Sequence, residues 1–208
     1  MQCSLCDSKT MLFVHIEERK FFSCTKCKAI LLHPLHYLSP EEEKERYLLH
    51  QNDIHDIGYQ NFVSPIVQSI SKEYNANHTG LDFGSGSGPV ITSLLTEKGY
   101  NIITYDPFFD PNNSTLENKY DYIVCCEVME HFYNPSREFS LLFSLLNPGG
   151  KLYCKTSLYN KNIDFRSWWY KNDPTHVFFY TKDTLLWIKN RFKFKLLEIR
   201  EDLIIFGN

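Results

Sequence analysis

No stretch of this 208-residue chain approaches eighteen consecutive apolar residues, so none has the length of a membrane-spanning helix. The amino terminus lacks the charged-then-apolar pattern of a signal segment. Basic residues are not in excess: 22 Lys and Arg against 25 Asp and Glu leave a net charge of −3, and no global field recommends a nucleic-acid partner. Internal repeats and low-complexity tracts are also missing. These absences lead to the expectation of a soluble, cytoplasmic protein with no membrane partner. The length suits one ordinary domain plus a small module. Aromatic residues, by contrast, are plentiful at 15% and concentrate after residue 100.

The seven cysteines are unevenly spread. Cys3-x-x-Cys6 and Cys24-x-x-Cys27 stand seventeen residues apart, a spacing that fits a structural zinc ribbon. Each knuckle aims two thiolates at one tetrahedral ion, and two knuckles close the site. Met11–Ile16 and Arg19–Ser23 between them are the expected hairpin strands. Disulfides or unligated thiols are the competing reading. His33 and His36 follow closely as spare ligands or ordinary linker residues. Ser39-Pro-Glu-Glu42 is a capping box that starts a helix over Pro40–His50, and a second helix is expected from Tyr59 to Glu73. Between them His50, Asn52, Asp53, His55 and Asp56 read as a polar linker rather than a metal site.

The most informative stretch is Gly80-Leu-Asp82-Phe-Gly84-Ser-Gly86-Ser-Gly88-Pro-Val90. An apolar strand runs into alternating glycines and then a helix start, an arrangement that presents bare backbone N–H groups to a ligand. Gly88 is the expected N-cap, with Pro89 at the first helical position. Strand Asn101–Tyr105 follows and ends at Asp106, where an acid would grip ribose hydroxyls. Tyr120–Cys126 is a further buried strand ending in Glu127-Val-Met-Glu-His131, and Asn134-Pro135 opens an amphipathic helix. Asn147-Pro-Gly-Gly150 precedes strand Lys151–Thr156. Thr181 caps a helix to Asn190, Phe192–Leu196 alternates as a strand, and Leu203–Phe206 supplies the last one.

The D-x-G-x-G-x-G pattern at Asp82–Gly88 resembles motif I of the class I S-adenosylmethionine-dependent methyltransferases, and Glu127-x-x-Glu130-His131 is similar to an element of the ubiquinone-type O-methyltransferases. The resemblance covers roughly residues 60–208 and implies an α/β, Rossmann-like sheet flanked by helices. The implied organisation is a ribbon module at 1–36, a helical linker or cap at 37–78 and the methyltransferase domain at 79–208. It assigns S-adenosylmethionine to Asp82, Gly84, Gly86, Gly88, Asp106, Pro107, Cys126 and Glu127. Tyr47 and Tyr59, ahead of the first strand of that domain, are expected to touch ligand.

One departure is plain, since Pro107–Lys119 is too short for the usual helix, third strand and helix. Strand three is therefore expected to be absent or vestigial, which leaves the usual adenine contact without a residue.

Methyl transfer to a hydroxyl needs an aligned acceptor and a proton acceptor, and His131 and His176 are the candidates. The second lies in Asp173-Pro-Thr-His176-Val-Phe-Phe-Tyr180, similar to a stretch that lines the acceptor pocket in small methyltransferases. Glu127, Glu130 and His131 offer an alternative use as ligands of a divalent cation. The expected activity is methylation of oxygen or carbon, or nitrogen, of a small molecule. Rival readings are an RNA or protein methyltransferase docking through its ribbon, a nicotinamide-dependent oxidoreductase, which the glycine spacing disfavours, and a non-catalytic adaptor.

Overall fold

The computed structural model describes residues 1–49 and 53–208; His50 and Asn52 of the polar linker lie outside the described residues. Strands β1 (Thr10–Ile16) and β2 (Arg19–Cys24) form the expected hairpin, turning on Glu17 in the left-handed region. A third strand, β3 (Ile30–Leu32), pairs with β2. Helix α1 (Pro40–Leu48) starts at the capping box, with Ser39 accepting from the Glu42 amide and Glu42 accepting from the Ser39 amide. Helix α2 (Ile57–Glu73) is capped by Asp56 and begins two residues earlier than its apolar pattern implies.

The central sheet then builds in sequence: β4 (Thr79–Phe83), α3 (Val90–Glu97), β5 (Asn101–Tyr105), β6 (Tyr120–Cys126), α4 (Pro135–Leu145) and β7 (Leu146–Lys155). The two-residue β8 (Phe178–Phe179) precedes α5 (Lys182–Phe192) and a terminal hairpin of β9 (Leu196–Arg200) and β10 (Leu203–Gly207). The strand order is β5-β4-β6-β7-β10-β9, parallel through β7 and antiparallel at β10. Along the chain, among the described residues, no strand intervenes between β5 and β6. Residues 107–119 instead make a reciprocal bridge between Asp106 and Asp110 and a short 3-10 turn, Asn113–Glu117.

Alternation along β6 divides the interior into two layers. Tyr122 and Val124 face α2 and α3, packing with Val63, Ile66, Ile70 and Leu95. Ile123 and Cys125 face α4 and α5 in a larger core that includes Phe139, Leu142, Leu185 and Phe206. That second core runs without interruption into the ribbon, through Phe21, Ile30, Leu31 and Leu32. Pairing of β3 with β8, Ile30 opposite Phe179 and Leu31 opposite Phe178, ties the first thirty residues into the body.

Three local expectations are corrected. The helix after the glycines starts at Val90 with Pro89 in the capping position, so Gly88 lies one residue outside its assigned place. Phe192–Leu196 is not a strand: the Leu185, Ile188, Phe192 stripe keeps the helix going, Lys193 ends it in the left-handed conformation, and pairing starts at Leu196. The strand expected at Lys151 already begins at Leu146, because Leu146 pairs with Tyr120 across an irregular register.

Candidate functional site

The carboxyl ends of β4, β5 and β6 open into one cavity of about 1110 Å³. Doubly wound sheets bind ligands at this edge. The floor begins at Gly84 and Gly86, whose φ values of 77° and 67° belong to the left-handed region. A Cβ on Gly84 would also stand 2.5 Å from the Val128 side chain, so glycine is required there twice over. The Asp106 carboxylate binds this loop to the next. Its Oδ2 accepts from the Gly86 amide at 2.9 Å, and its Oδ1 accepts from the Phe108 and Phe109 amides at 2.8 and 3.0 Å. Asp82 lies beneath, buried, accepting from Thr92 Oγ1 at 2.8 Å. Burial pushes its carboxyl up to about 6, against the pull of Thr92. All eight residues assigned to the cofactor line this cavity, Gly88 and Pro107 included.

The opposite end is assembled from distant segments. Glu127 has a left-handed φ of 51° and receives the Tyr170 hydroxyl at 3.3 Å. Desolvation pushes its carboxyl up to about 7. Glu130 is fully buried, and among the described residues neither carboxylate oxygen has a partner at hydrogen-bond distance. Burial and the neighbouring Glu127 raise it well above the usual carboxylate range.

His131 Nδ1 stands 3.0 Å from the Thr175 carbonyl and His176 Nδ1 2.7 Å from the Tyr170 carbonyl. A carbonyl only accepts, so both Nδ1 atoms carry the proton, and in the neutral rings Nε2 keeps the lone pair. Both Nε2 atoms face Glu130 Oε1, at 3.9 and 4.0 Å. Glu130, His131 and His176 therefore group as a cation-type ligand set. Glu127 is not in that group; His176 takes the place assigned to it, because the loop before β8 folds back over the end of β6.

Helix α1 covers this end. Tyr47 donates to Glu43 at 2.6 Å and sets its ring edge-on to His131, while Tyr133 donates to the other oxygen of Glu43 at 3.1 Å. Arg46 donates through Nε and an Nη to Asp173 Oδ2, at 3.3 and 2.7 Å. Asp173 is held well below the usual carboxylate range: burial opposes this, but Arg46 and Thr175 outweigh it. Tyr47 and Tyr59 both line the cavity. Glu43, Arg46 and Glu138 line it too and were not singled out from the sequence; for Glu138 the signal is the polar flank Asn134, Arg137 and Glu138 at the start of α4.

In the ribbon, the Cys3 and Cys27 sulfurs lie 3.6 Å apart and those of Cys6 and Cys24 3.3 Å apart, all four within 4.8 Å of one another. These separations exceed a disulfide bond of about 2.05 Å and approach the roughly 3.8 Å edge of a tetrahedral zinc–thiolate site. The Lys26 and Cys27 amides point at Cys24 Sγ, each at 3.4 Å. The donor set fits zinc. His33 and His36 stay outside it.

Sheet order, glycine loop and cavity together define a Rossmann-like methyltransferase fold. The methyltransferase-domain family model matches residues 54–199, and the chain belongs to that family. Among curated relatives, the ubiquinone biosynthesis O-methyltransferase of Erwinia tasmaniensis is 30% identical over 101 residues, covering 49% of this chain and 40% of its own. That of Vibrio parahaemolyticus is 26% identical over 136 residues, covering 62% and 55%. The chain thus spans about half the length of the curated relatives it matches. Among solved structures, the Burkholderia thailandensis 1,6-didemethyltoxoflavin-N1-methyltransferase, with bound 1,6-didemethyltoxoflavin and S-adenosylhomocysteine, superposes with a TM-score of 0.57 at 12% identity, covering 97% of this chain and 99% of that one. Human N-acetylserotonin methyltransferase in complex with SAM gives 0.54 at 13% identity, covering 81% and 57%. Among the described residues, no helix is long and apolar enough to cross a membrane.

Proposed function

We propose that the protein transfers a methyl group from S-adenosylmethionine to an oxygen or carbon, or a nitrogen, of a small-molecule acceptor. The observation that carries this reading is the single cavity that joins the glycine loop and Asp106 to His131 and His176. When bound, the cofactor supplies an electrophilic methyl on a sulfonium, whose C–S bond breaks as the bond to the acceptor forms. Asp82, the glycine loop, Cys126 and Glu127 hold the methionine part, and Asp106 with Pro107 holds the ribose. Two N–H donors occupy Asp106 Oδ1 and one occupies Oδ2, which leaves Oδ2 a lone pair for a ribose hydroxyl. For a hydroxyl acceptor, His176 or His131 takes the proton at Nε2, while the backbone carbonyl at Nδ1 fixes the ring. Tyr47, Tyr170 and Trp169 enclose the acceptor and exclude water.

Zinc on Cys3, Cys6, Cys24 and Cys27 fills a closed structural site in this reading. The Glu130, His131 and His176 group supports a second use of the same end, in which a divalent cation orients oxygen atoms of the acceptor.

Calorimetric titration with S-adenosylmethionine, S-adenosylhomocysteine and NADH tests the assignment. The expected result is binding of the two sulfur ligands alone, weakened at least tenfold in Asp106→Ala, about what loss of charge-assisted hydrogen bonds costs. Binding of NADH, or of nothing, overturns it.

A further inference from the structure

The direct passage from β5 to β6 removes the strand that would wall one side of the far end of the cavity, beyond Asp106. What lines the cavity there instead comes from two elements, which together make the space we call the slot. Pro107, Asn113 and Leu116 come from the loop after β5, and Glu138 and Leu141 from the flank of α4. Tyr105, stacked on Phe83 at 5.4 Å, continues the aromatic floor towards Phe132, whose ring is edge-on to Phe83 at 6.3 Å.

The loop wall is firmly fixed. Asp106 and Asp110 exchange backbone hydrogen bonds of 3.0 Å, Thr104 donates to Asp110 at 2.6 Å, and Tyr120 donates to the Thr115 carbonyl at 2.7 Å. Leu116 and Leu141 are half-buried against the main core, so the slot has apolar sides suited to a flat ring.

Its one anionic group on the α4 side is Glu138. The carboxylate is half-buried, lines the cavity and makes no hydrogen bond or ion pair at contact distance among the described residues. Burial raises its proton affinity, with the Arg137 charge acting the other way. The Tyr105 hydroxyl, whose proton affinity is raised by burial and then by the Glu138 charge, lines the same cavity. A partly desolvated carboxylate only accepts hydrogen bonds, and it lacks a donor.

We infer that Glu138 recognises the exocyclic amine of adenine, supplying from α4 the base contact that the deleted strand leaves without a residue. The inference rests on the cofactor reading above: with ribose at Asp106, the base lies in the slot beyond it. Adenine presents an N–H donor at position 6, whereas hypoxanthine presents a carbonyl that a carboxylate repels. A role confined to the first turn of α4, where a negative charge complements the helix dipole, would alter melting but not base preference.

The test is calorimetric titration of the wild-type protein, Glu138→Gln, Glu138→Ala and Asp106→Ala with S-adenosylhomocysteine and its hypoxanthine counterpart, S-inosylhomocysteine, with a thermal melt of each variant. The wild type is expected to prefer adenine by tenfold or more, the scale of one hydrogen bond to a charged group. Glu138→Gln, whose amide serves either base, narrows the preference to about threefold, and Glu138→Ala brings it near unity. Asp106→Ala weakens both ligands and keeps their ratio. An unchanged preference in both Glu138 variants overturns the inference while leaving the cofactor reading intact. A wild type that binds neither ligand overturns the cofactor reading itself, and this inference with it.

Discussion

The molecule gathers metal-type side chains twice, in opposite ways. The cysteine cluster is local in sequence and sealed, and three of its four residues are buried. The Glu130, His131 and His176 cluster draws on segments some 45 positions apart and opens on the reaction cavity. The first has every sulfur turned to its companions and has nothing to offer a substrate. The second turns two imidazole Nε2 atoms towards one buried carboxyl oxygen, with both rings lining the cavity. A closed set holds a fold together, whereas an open one is poised to act on something that enters.

The contrast is broken most severely in the ribbon. On the proposed zinc assignment, Cys24→Ser or treatment with a chelator is expected to cost several kcal/mol and lower the melting temperature by about ten degrees or more, on the order expected when a structural zinc site is lost. Calorimetric melts with and without zinc measure it. At the open cluster, His176→Ala should instead lower kcat by about 10²–10⁴, the range of one general acid–base group, with little change in melting or in S-adenosylhomocysteine affinity. Single-turnover kinetics beside a melt separates the two behaviours, and a collapse of stability would put His176 with the structural set.

Asp82 sharpens the contrast through pH. Its folded proton affinity, about 6, is raised above the ordinary 3.8, so its contribution to stability is complete below about pH 4 and is lost as pH rises through 6. The slope amounts to roughly 2–3 kcal/mol, and Asp82→Asn should flatten it in urea melts at pH 4.5 and 7.5. The smallest expected effect is at Arg46→Ala. Its pair with Asp173 is over a third exposed on the arginine side, so stability should change by under about 1 kcal/mol, while the Michaelis constant for acceptor rises as α1 loosens.

Legibility followed the same division. The glycine loop, Asp106 and both ends of β5 and β6 were readable because each is specified by neighbours within a few residues: a strand, a turn that needs positive φ, then a helix. The two C-x-x-C knuckles were readable for the same reason. Arg46 and Asp173 meet across 127 positions, and nothing near either residue announces the other. Two-residue β8 carries no periodicity to detect, and the substitution of His176 for Glu127 depends on how that segment folds back. The strand misread at Phe192–Leu196 shows the limit from the other side, since five alternating residues fit a helix end as well as a strand.

The pairing of β3 with β8 has a mechanical meaning. His176 lies two residues ahead of Phe178, and Phe178 is anchored to Leu31, seven positions after Cys24. The ribbon is therefore tied by main-chain pairing to the segment that follows His176, although the cavity lining itself begins only at Glu43. Amide exchange in residues 20–32 and 176–180 is expected to slow and quicken together, as a single cooperative unit, when zinc is added to or stripped from the four thiols.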